Sequence, residues 1–140
     1  GYKDGLAAAG IEYDKALVLP GEFSFESGVA GAKALLSMKS PPTAIFAAND
    51  DTAAGVMHVA AERGLRIPQD LSVFGFDDLP MARQLWPALT TVRQASREMG
   101  RIAAEQLLLS IREPGAAGMV QVPYELVLRA STGPAPKRRP

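Results

Sequence analysis

Short runs of consecutive apolar residues alternate with longer stretches of helical period along most of this sequence. The runs at residues 16–19, 43–48 and 71–76 are nearly continuous in apolar side chains, as expected of strands that are covered on both faces. Each run is followed by a segment whose apolar residues repeat every three to four positions, which is typical of an amphipathic helix. The alternation predicts successive βα units and therefore an α/β fold, a doubly wound parallel sheet.

The remaining elements are predicted on the same grounds. The chain opens directly in a helical pattern, with Tyr2, Leu6 and Ala9 on one side, so it is expected to begin inside an element. Further helices are predicted at residues 25–38, from Asn49 to Gly64, at 79–85 and from an N-cap at Ser96 to Pro114, and extended segments at 89–92 and 119–129. Residues 133–140 are basic and rich in proline, which predicts a flexible tail.

The charge balance and the absence of cysteine limit the chemistry of the chain. It has 15 basic and 15 acidic residues, whereas a surface that follows nucleic-acid phosphates normally has a basic excess. With no cysteine and a single histidine, His58, the chain has no disulfide, no thiolate zinc site and no Cys-His nucleophile pair. His58 lies in a helical pattern without a partner constellation and is interpreted as a surface or packing residue. We therefore expect no metal and no cofactor.

No membrane partner is expected either. No apolar run approaches the roughly 18 residues that a membrane span requires, and the first residues lack the pattern of a secretory signal. A mature periplasmic protein stays open as an alternative, because a signal is removed on export.

Polar and aromatic residues follow the ends of the predicted strands. Phe23 comes after the first strand, Asn49 and Asp50 after the second, and Asp77 and Asp78 after the third. Ligands of open parallel sheets bind outside the carboxyl ends of the strands, so these side chains are expected to face one crevice. Carboxylates and amides bind hydroxyl groups, and an aromatic ring covers the apolar face of a sugar or stacks on a base. Phe23, Asn49 and Asp77 are the predicted ligand contacts.

These residues also have structural interpretations. Asn and Asp before helices are favoured N-caps, worth about 1 kcal/mol each, and Phe23 could pack against its own helix. An enzyme is disfavoured, because no glycine-rich phosphate loop follows the first strand and no G-x-S-x-G motif occurs. Paired aspartates occur in phosphoacceptor receiver domains, but there they follow the first strand, whereas Asp77 and Asp78 follow the third.

Several motifs in order along the chain resemble the lac repressor family of bacterial transcriptional regulators. They are PPTAIFAANDDTAAGVMHVAAERGLRIPQDLSVFGFDD, then PALTTVRQ, EMGRIAAEQLL and ELVLRAST. The pattern T-A-x-x-A-x-N-D is shared with periplasmic sugar-binding proteins, but the ordered series is more specific. The resemblance implies a two-lobed, periplasmic-binding-protein-like effector domain of a cytoplasmic regulator that is not an enzyme.

The resemblance also implies which part of that domain this chain represents. Residues 1–132 match chiefly the C-terminal lobe, and residues of about 89–111 match the segment that crosses back to the N-terminal lobe. The rest of that lobe and an operator-reading helix-turn-helix are expected upstream of Gly1. Operator DNA is therefore expected as a partner only through that upstream segment.

Site residues follow from the resemblance by position. Phe23, Asn49 and Asp77 match contacts to the effector, and Gln94 matches a residue that lines the cleft near the hinge. An effector-binding arginine of the family would lie just upstream of Gly1, so half of the pocket is expected outside the chain. The expected effector is a sugar or a purine-like metabolite.

The family dimerises through its C-terminal lobe, which implies a homodimer. The matching positions are Ala54, His58, Met81, Gln84 and Leu85. An alternative interpretation makes Met81 and Leu85 ordinary core residues of a short helix. For the function as a whole, the alternative is a periplasmic sugar-binding receptor of a transporter, which would use the same cleft.

Overall fold

The computed structural model describes residues 1–136 of the 140-residue chain. Within this range lie the helices and strands α1 (Tyr2–Ala8), α2 (Phe25–Leu35), β1 (Ala44–Phe46), α3 (Asp50–Glu62), β2 (Ser72–Phe74), β3 (Thr91–Gln94), α4 (Ser96–Arg112) and β4 (Tyr124–Val127), with 3₁₀-helices at Lys15–Leu17 and Pro80–Arg83. None of the helices in this range has the length and apolar character of a membrane span. Residues 137–140 of the predicted tail lie outside the described residues.

A parallel sheet forms the centre of the chain. β1 and β2 pair in parallel over their whole length, and α3 is the helix that connects them. β3 continues the sheet through two parallel bridges, from Phe74 to Thr90 and from Asp77 to Arg93, and it pairs antiparallel with β4. The expected α/β fold with a parallel sheet is confirmed.

The core lies between α2, α3 and one face of the β1–β2 pair. Its buried apolar side chains are Ala32, Leu35, Ile45, Ala47, Ala53, Val56, Met57, Val59, Ala60, Leu71, Val73, Ala82 and Leu89. On the opposite face, Phe46 is 55% exposed, and its ring lies 5.4 Å from that of Phe74. Within residues 1–136 this second face is covered only in part, although the continuous apolar runs predict cover on both.

Helices α2 and α3 approach each other closely at two glycines. A Cβ atom on Gly28 would lie 2.1 Å from the carbonyl oxygen of Thr52, and one on Gly55 would lie 2.2 Å from that of Phe25. Both contacts are with backbone atoms, which cannot swing aside as a flexible side chain would. This close packing fixes the N-terminal ends of the two helices relative to each other.

The segment β3–α4–β4 forms a small unit of its own. α4 lies beside the antiparallel β3–β4 pair over an open hollow of about 560 Å³, whose lining includes Met99, Ile102 and Val122. None of the 17 residues of α4 is buried. Ile111, on its last turn, is 69% exposed. The apolar stripe that predicts this helix is therefore largely uncovered by the described residues.

Two local expectations are wrong. Residues 16–19 form no strand, because the side chain of Asp14 caps a 3₁₀-helix at Lys15–Leu17 and no strand within residues 1–136 pairs with this segment. Ser96 is the first residue of α4, and its N-cap is Ala95, which makes no side-chain cap hydrogen bond. A short polar residue thus indicates the region of a helix start better than its exact position.

Candidate functional site

The loops that follow β1 and β2 meet β3 at one edge of the sheet. The N–H of Asp50 donates to the carbonyl of Phe76 at 2.9 Å, and the N–H of Asp77 donates to the carbonyl of Val92 at 2.9 Å. These two bonds place the three segments side by side. The side chains that follow the strands are therefore neighbours at the carboxyl edge, where parallel sheets bind ligands.

Asn49 holds the loop that presents Phe23. As the N-cap of α3, its Oδ1 accepts from the N–H of Thr52 at 2.9 Å, while its Nδ2 donates to the carbonyl of Phe23 at 2.9 Å. Asn49 is 8% exposed, whereas Phe23 is 66% exposed. Asn49 thus caps its helix, as the structural interpretation expects, and it also joins the loop of Phe23 to the end of β1.

The structure also brings Asp77 and Gln94 together. The Nε2 atom of Gln94, at the end of β3, donates to Oδ1 of Asp77 at 2.7 Å. Within residues 1–136, Oδ2 of Asp77 accepts no hydrogen bond, and both side chains are partly exposed. The pair therefore offers an oriented carboxylate whose second oxygen is available.

The backbone is unusual at these positions. Among residues 1–136, positive φ angles outside glycine occur at Phe23 (53°), Asp77 (111°) and Asp78 (54°). Such conformations cost about 1–3 kcal/mol each and persist where the surrounding contacts determine them, which is often at ligand sites. Two of the three residues are predicted ligand contacts.

The site is open in the described part of the chain. Phe23 lines one hollow of about 340 Å³, Gln94 lines the hollow of about 560 Å³ beside α4, and Asn49 and Asp77 line neither. No group of three His, Asp or Glu side chains in residues 1–136 is placed to hold a metal ion. The arrangement suits binding of an uncharged polar ligand at an exposed edge.

Asp50 points away from this edge and into the molecule. It is fully buried, its Oδ1 accepts from the hydroxyl of Thr91 at 2.6 Å, and its Oδ2 accepts from the N–H of Leu79 at 2.7 Å. Burial raises the pKa of Asp50, although both hydrogen bonds oppose the rise. This carboxyl group links the start of α3 to β3 and to the loop after β2.

Asp78 is also turned inward, against three guanidinium groups. Its side chain is 1% exposed and contacts Arg93 at 2.7 Å, Arg83 at 3.6 Å and Arg129. Burial alone would raise the pKa of Asp78, but hydrogen bonds from Arg129 and Arg93 hold it below its usual range. This cluster is not predicted from the sequence. Its one signal was an acidic pair at a buried strand end, which needs counter-charges from elsewhere in the chain.

The five positions matched to a dimer interface differ in exposure. Ala54 is 5% exposed and belongs to the buried face of α3. His58 is exposed, its ring lies 5.6 Å from that of Phe25, and its Nε2 lies 3.3 Å from Glu62. The other three lie in or just after the second 3₁₀-helix: Met81 and Leu85 are half-buried, and Gln84 is exposed. Leu85 packs against the core, so its side chain serves the monomer as well.

Comparison with known proteins identifies the family. Residues 1–132 match the model of the periplasmic binding protein-like domain. The ribose operon repressor of Haemophilus influenzae is 43% identical over 114 residues, which are 81% of this chain and 34% of that protein. The chain spans between 34% and 40% of the length of the curated relatives that it matches.

Solved structures give the same result. A complex of the transcriptional regulator CelR with cellobiose superposes with a TM-score of 0.86 at 35% identity, covering 93% of this chain and 40% of that one. A regulator of the LacI family from Enterococcus faecium with bound ribose has a TM-score of 0.80 at 33% identity, covering 98% of this chain and 50% of that one. These relatives are repressors and regulators, so neither the transport-receptor alternative nor an enzyme is favoured. The chain belongs to the periplasmic-binding-protein-like domain family and, within it, to the group of lac repressor-type regulators.

Proposed function

We propose that this chain is the effector-binding region of a cytoplasmic transcriptional regulator and that its effector is a small sugar. The observation that carries the proposal is the placement of two elements in the loops at the carboxyl edge of the sheet. One is the exposed ring of Phe23, and the other is the Asp77 carboxylate that Gln94 orients at 2.7 Å.

The chemistry of these groups favours a polyhydroxylated ring. Oδ2 of Asp77 can accept a hydrogen bond from a sugar hydroxyl, and the amide oxygen of Gln94 can accept from a neighbouring one. The ring of Phe23 can cover the C–H face of the sugar. Support comes from relatives: one solved regulator holds ribose, another holds cellobiose, and a third relative is a ribose operon repressor.

The regulatory step would be a change in equilibrium between conformations. A sugar that contacts both Asp77 and parts of the protein beyond this chain binds more tightly to one arrangement of this chain relative to those parts. It therefore shifts the conformational equilibrium of the protein towards that arrangement. The change would reach operator DNA through a segment outside this chain. A homodimer would form through the surface around His58, Met81 and Gln84, with Leu85 and Ala54 behind it, in a two-fold contact.

Calorimetric titration of the complete protein that carries this chain tests the proposal. We expect ribose or cellobiose to bind and adenosine, as a purine probe, not to bind. The substitutions Phe23→Ala and Asp77→Asn should each weaken sugar binding by about tenfold or more, since each removes a direct contact. Asp51→Asn, in the first turn of α3, is the matched control and should leave the affinity unchanged.

Three results would count against the proposal. If adenosine binds and neither sugar does, the effector is a purine and not a sugar. Sugar binding that survives both Phe23→Ala and Asp77→Asn would place the effector elsewhere. Sugar binding without any effect on the affinity of the complete protein for its operator DNA would contradict the regulatory role.

A further inference from the structure

An ion cluster centred on the buried carboxylate of Asp78 joins the sheet to both ends of the β3–α4–β4 unit. Asp78, in the loop after β2, contacts Arg93 on β3 at 2.7 Å and Arg129, which follows β4. Arg93 also contacts Glu125 on β4 at 2.6 Å. Arg129 donates from Nη1 to the carbonyl of Leu89, just before β3, at 2.7 Å. One carboxylate thus connects the sheet to the strand that leads to α4 and to the segment that returns from it.

This cluster is adjacent to the pair that we assign to the effector. Asp77 and Asp78 are consecutive, and so are Arg93 and Gln94. Gln94 Nε2 donates to Asp77 Oδ1 at 2.7 Å, and Arg93 Nε donates to Asp78 Oδ2 at 2.7 Å. These are two neighbouring side-chain hydrogen bonds between the loop after β2 and strand β3. A displacement of β3 relative to the sheet would therefore alter both.

The loop itself depends on these contacts. Asp77 and Asp78 have φ angles of 111° and 54° in succession, and such backbone persists only where its surroundings determine it. The surroundings are β3 and the arginines, because the N–H of Asp77 donates to Val92 and the carboxylate of Asp78 is held by Arg93 and Arg129. The conformation of the loop and the position of β3 are thus set together.

We propose that Asp78 is a positioning residue of the effector site. With Arg93 and Arg129 it holds β3, and through β3 the Asp77–Gln94 pair, and it links that pair to both connections of the β3–α4–β4 unit. The assignment rests on the proposed function for the role of Asp77, whereas the linkage itself does not depend on a ligand.

Hydrogen–deuterium exchange of the complete protein without ligand tests the linkage. In Asp78→Asn we expect amides of β3 and β4 to exchange about tenfold faster or more, while those of α3 stay unchanged, because only the attachment of the β3–β4 pair to the sheet is weakened. Asp70→Asn is the matched control, since Asp70 also accepts from an arginine, Arg66, at 2.7 Å, but lies before β2 at the opposite edge of the sheet. Unchanged exchange in β3 and β4, or equal acceleration in α3, would overturn the proposal.

Ribose, and cellobiose as a second probe, test the connection to the site. Saturating sugar should slow exchange in β3 and β4 of the unsubstituted protein and of Asp70→Asn, and this protection should fall by about tenfold in Asp78→Asn. Asp78→Glu, which keeps the charge, should restore part of it. Full sugar-induced protection in Asp78→Asn would overturn the positioning role.

Two further outcomes are separated by this design. If the unsubstituted protein binds neither sugar, the proposed function fails, and the ligand-free comparison decides the linkage alone. If Asp78→Asn does not fold, Arg93→Gln takes its place, because it removes one of the three guanidinium groups and leaves Asp78 paired with Arg129 and Arg83. The same exchange pattern is then expected, and its absence overturns the proposal.

Discussion

Helices α3 and α4 both carry an apolar stripe, yet they lie in opposite environments. Eight of the 13 residues of α3 are buried, whereas none of the 17 residues of α4 is. α3 packs against α2 and the sheet, while α4 lies over an open hollow beside β3 and β4. Periodicity determines which face of a helix is apolar, but burial depends on what the rest of the protein brings to that face. Among the described helices, α3 therefore contributes more buried residues to the core than α4 does.

The candidate site lies across the boundary between these two regions. Phe23 and Asn49 belong to the α2–α3 side, where glycine contacts fix the helices. Gln94 belongs to the α4 side, and Asp77 joins the two. The affinity for an effector that contacts residues on both sides would therefore depend on the position of the α4 unit relative to the core.

Replacement of one methionine in each helix should show the largest difference in stability between the two regions. Met57 of α3 is 5% exposed, and Met99 of α4 is 43% exposed. Met57→Ala should lower the free energy of unfolding by about 2–5 kcal/mol, since it leaves a cavity in the core. Met99→Ala should change it by no more than about 0.5 kcal/mol. Urea denaturation of this chain measures both, and equal losses would show that α4 is packed as tightly as α3.

Glycine-to-alanine substitutions should change stability in opposite directions. In Gly55→Ala the new Cβ meets a backbone oxygen at 2.2 Å, so the helices must separate, at a cost of about 1–3 kcal/mol or more. Gly100, inside α4, has no atom within 4 Å of its Cβ position, so Gly100→Ala should stabilise the helix by about 0.5–1 kcal/mol. Thermal unfolding of the two variants checks the signs. A stable Gly55→Ala variant would contradict the close approach of α2 and α3.

The sequence predicts the parallel unit well because its signals are local and mutually consistent. The run at 43–48 contains β1, the run at 71–76 contains β2, and the helix between them begins after Asn49, as its capping residue indicates. The run at 16–19 looks alike, yet it is not a strand. A strand needs a partner as well as apolar residues, and the described chain provides none for this segment.

The candidate site was predictable in its residues and not in its contacts. Strand ends indicate Phe23, Asn49 and Asp77, because topology alone brings such positions to one edge. The bond from Asn49 to the carbonyl of Phe23 joins residues 26 positions apart, and the pairing of Asp78 with Arg129 joins residues 51 positions apart. Local pattern carries no information about such distant partners.

The smallest effect should come from pH, because each carboxyl group changes the proton balance by at most one proton. The pKa of Asp78 is lowered in the folded chain by Arg129 and Arg93 despite burial, so its stabilisation is complete above its ordinary value of 3.8 and is lost as the pH falls through the folded pKa. The pKa of Asp50 is raised, chiefly by burial, so the folded chain binds that proton more tightly than the unfolded chain does. Its contribution therefore declines as the pH rises above 3.8.

Asparagine substitutions separate these two opposing contributions, since each replaces a carboxyl group by a neutral group of the same shape. Relative to the unsubstituted chain, Asp50→Asn should gain stability as the pH rises from about 4 to 7, whereas the loss caused by Asp78→Asn should be largest at neutral pH and shrink in acid. Urea unfolding at a series of pH values measures both differences. Parallel profiles for the two variants would contradict the assigned environments. Opposite slopes would show that the two buried carboxyl groups at the joint between the core and the α4 unit differ in their preferred charge, because burial disfavours the ionised form of Asp50 whereas the arginines favour that of Asp78.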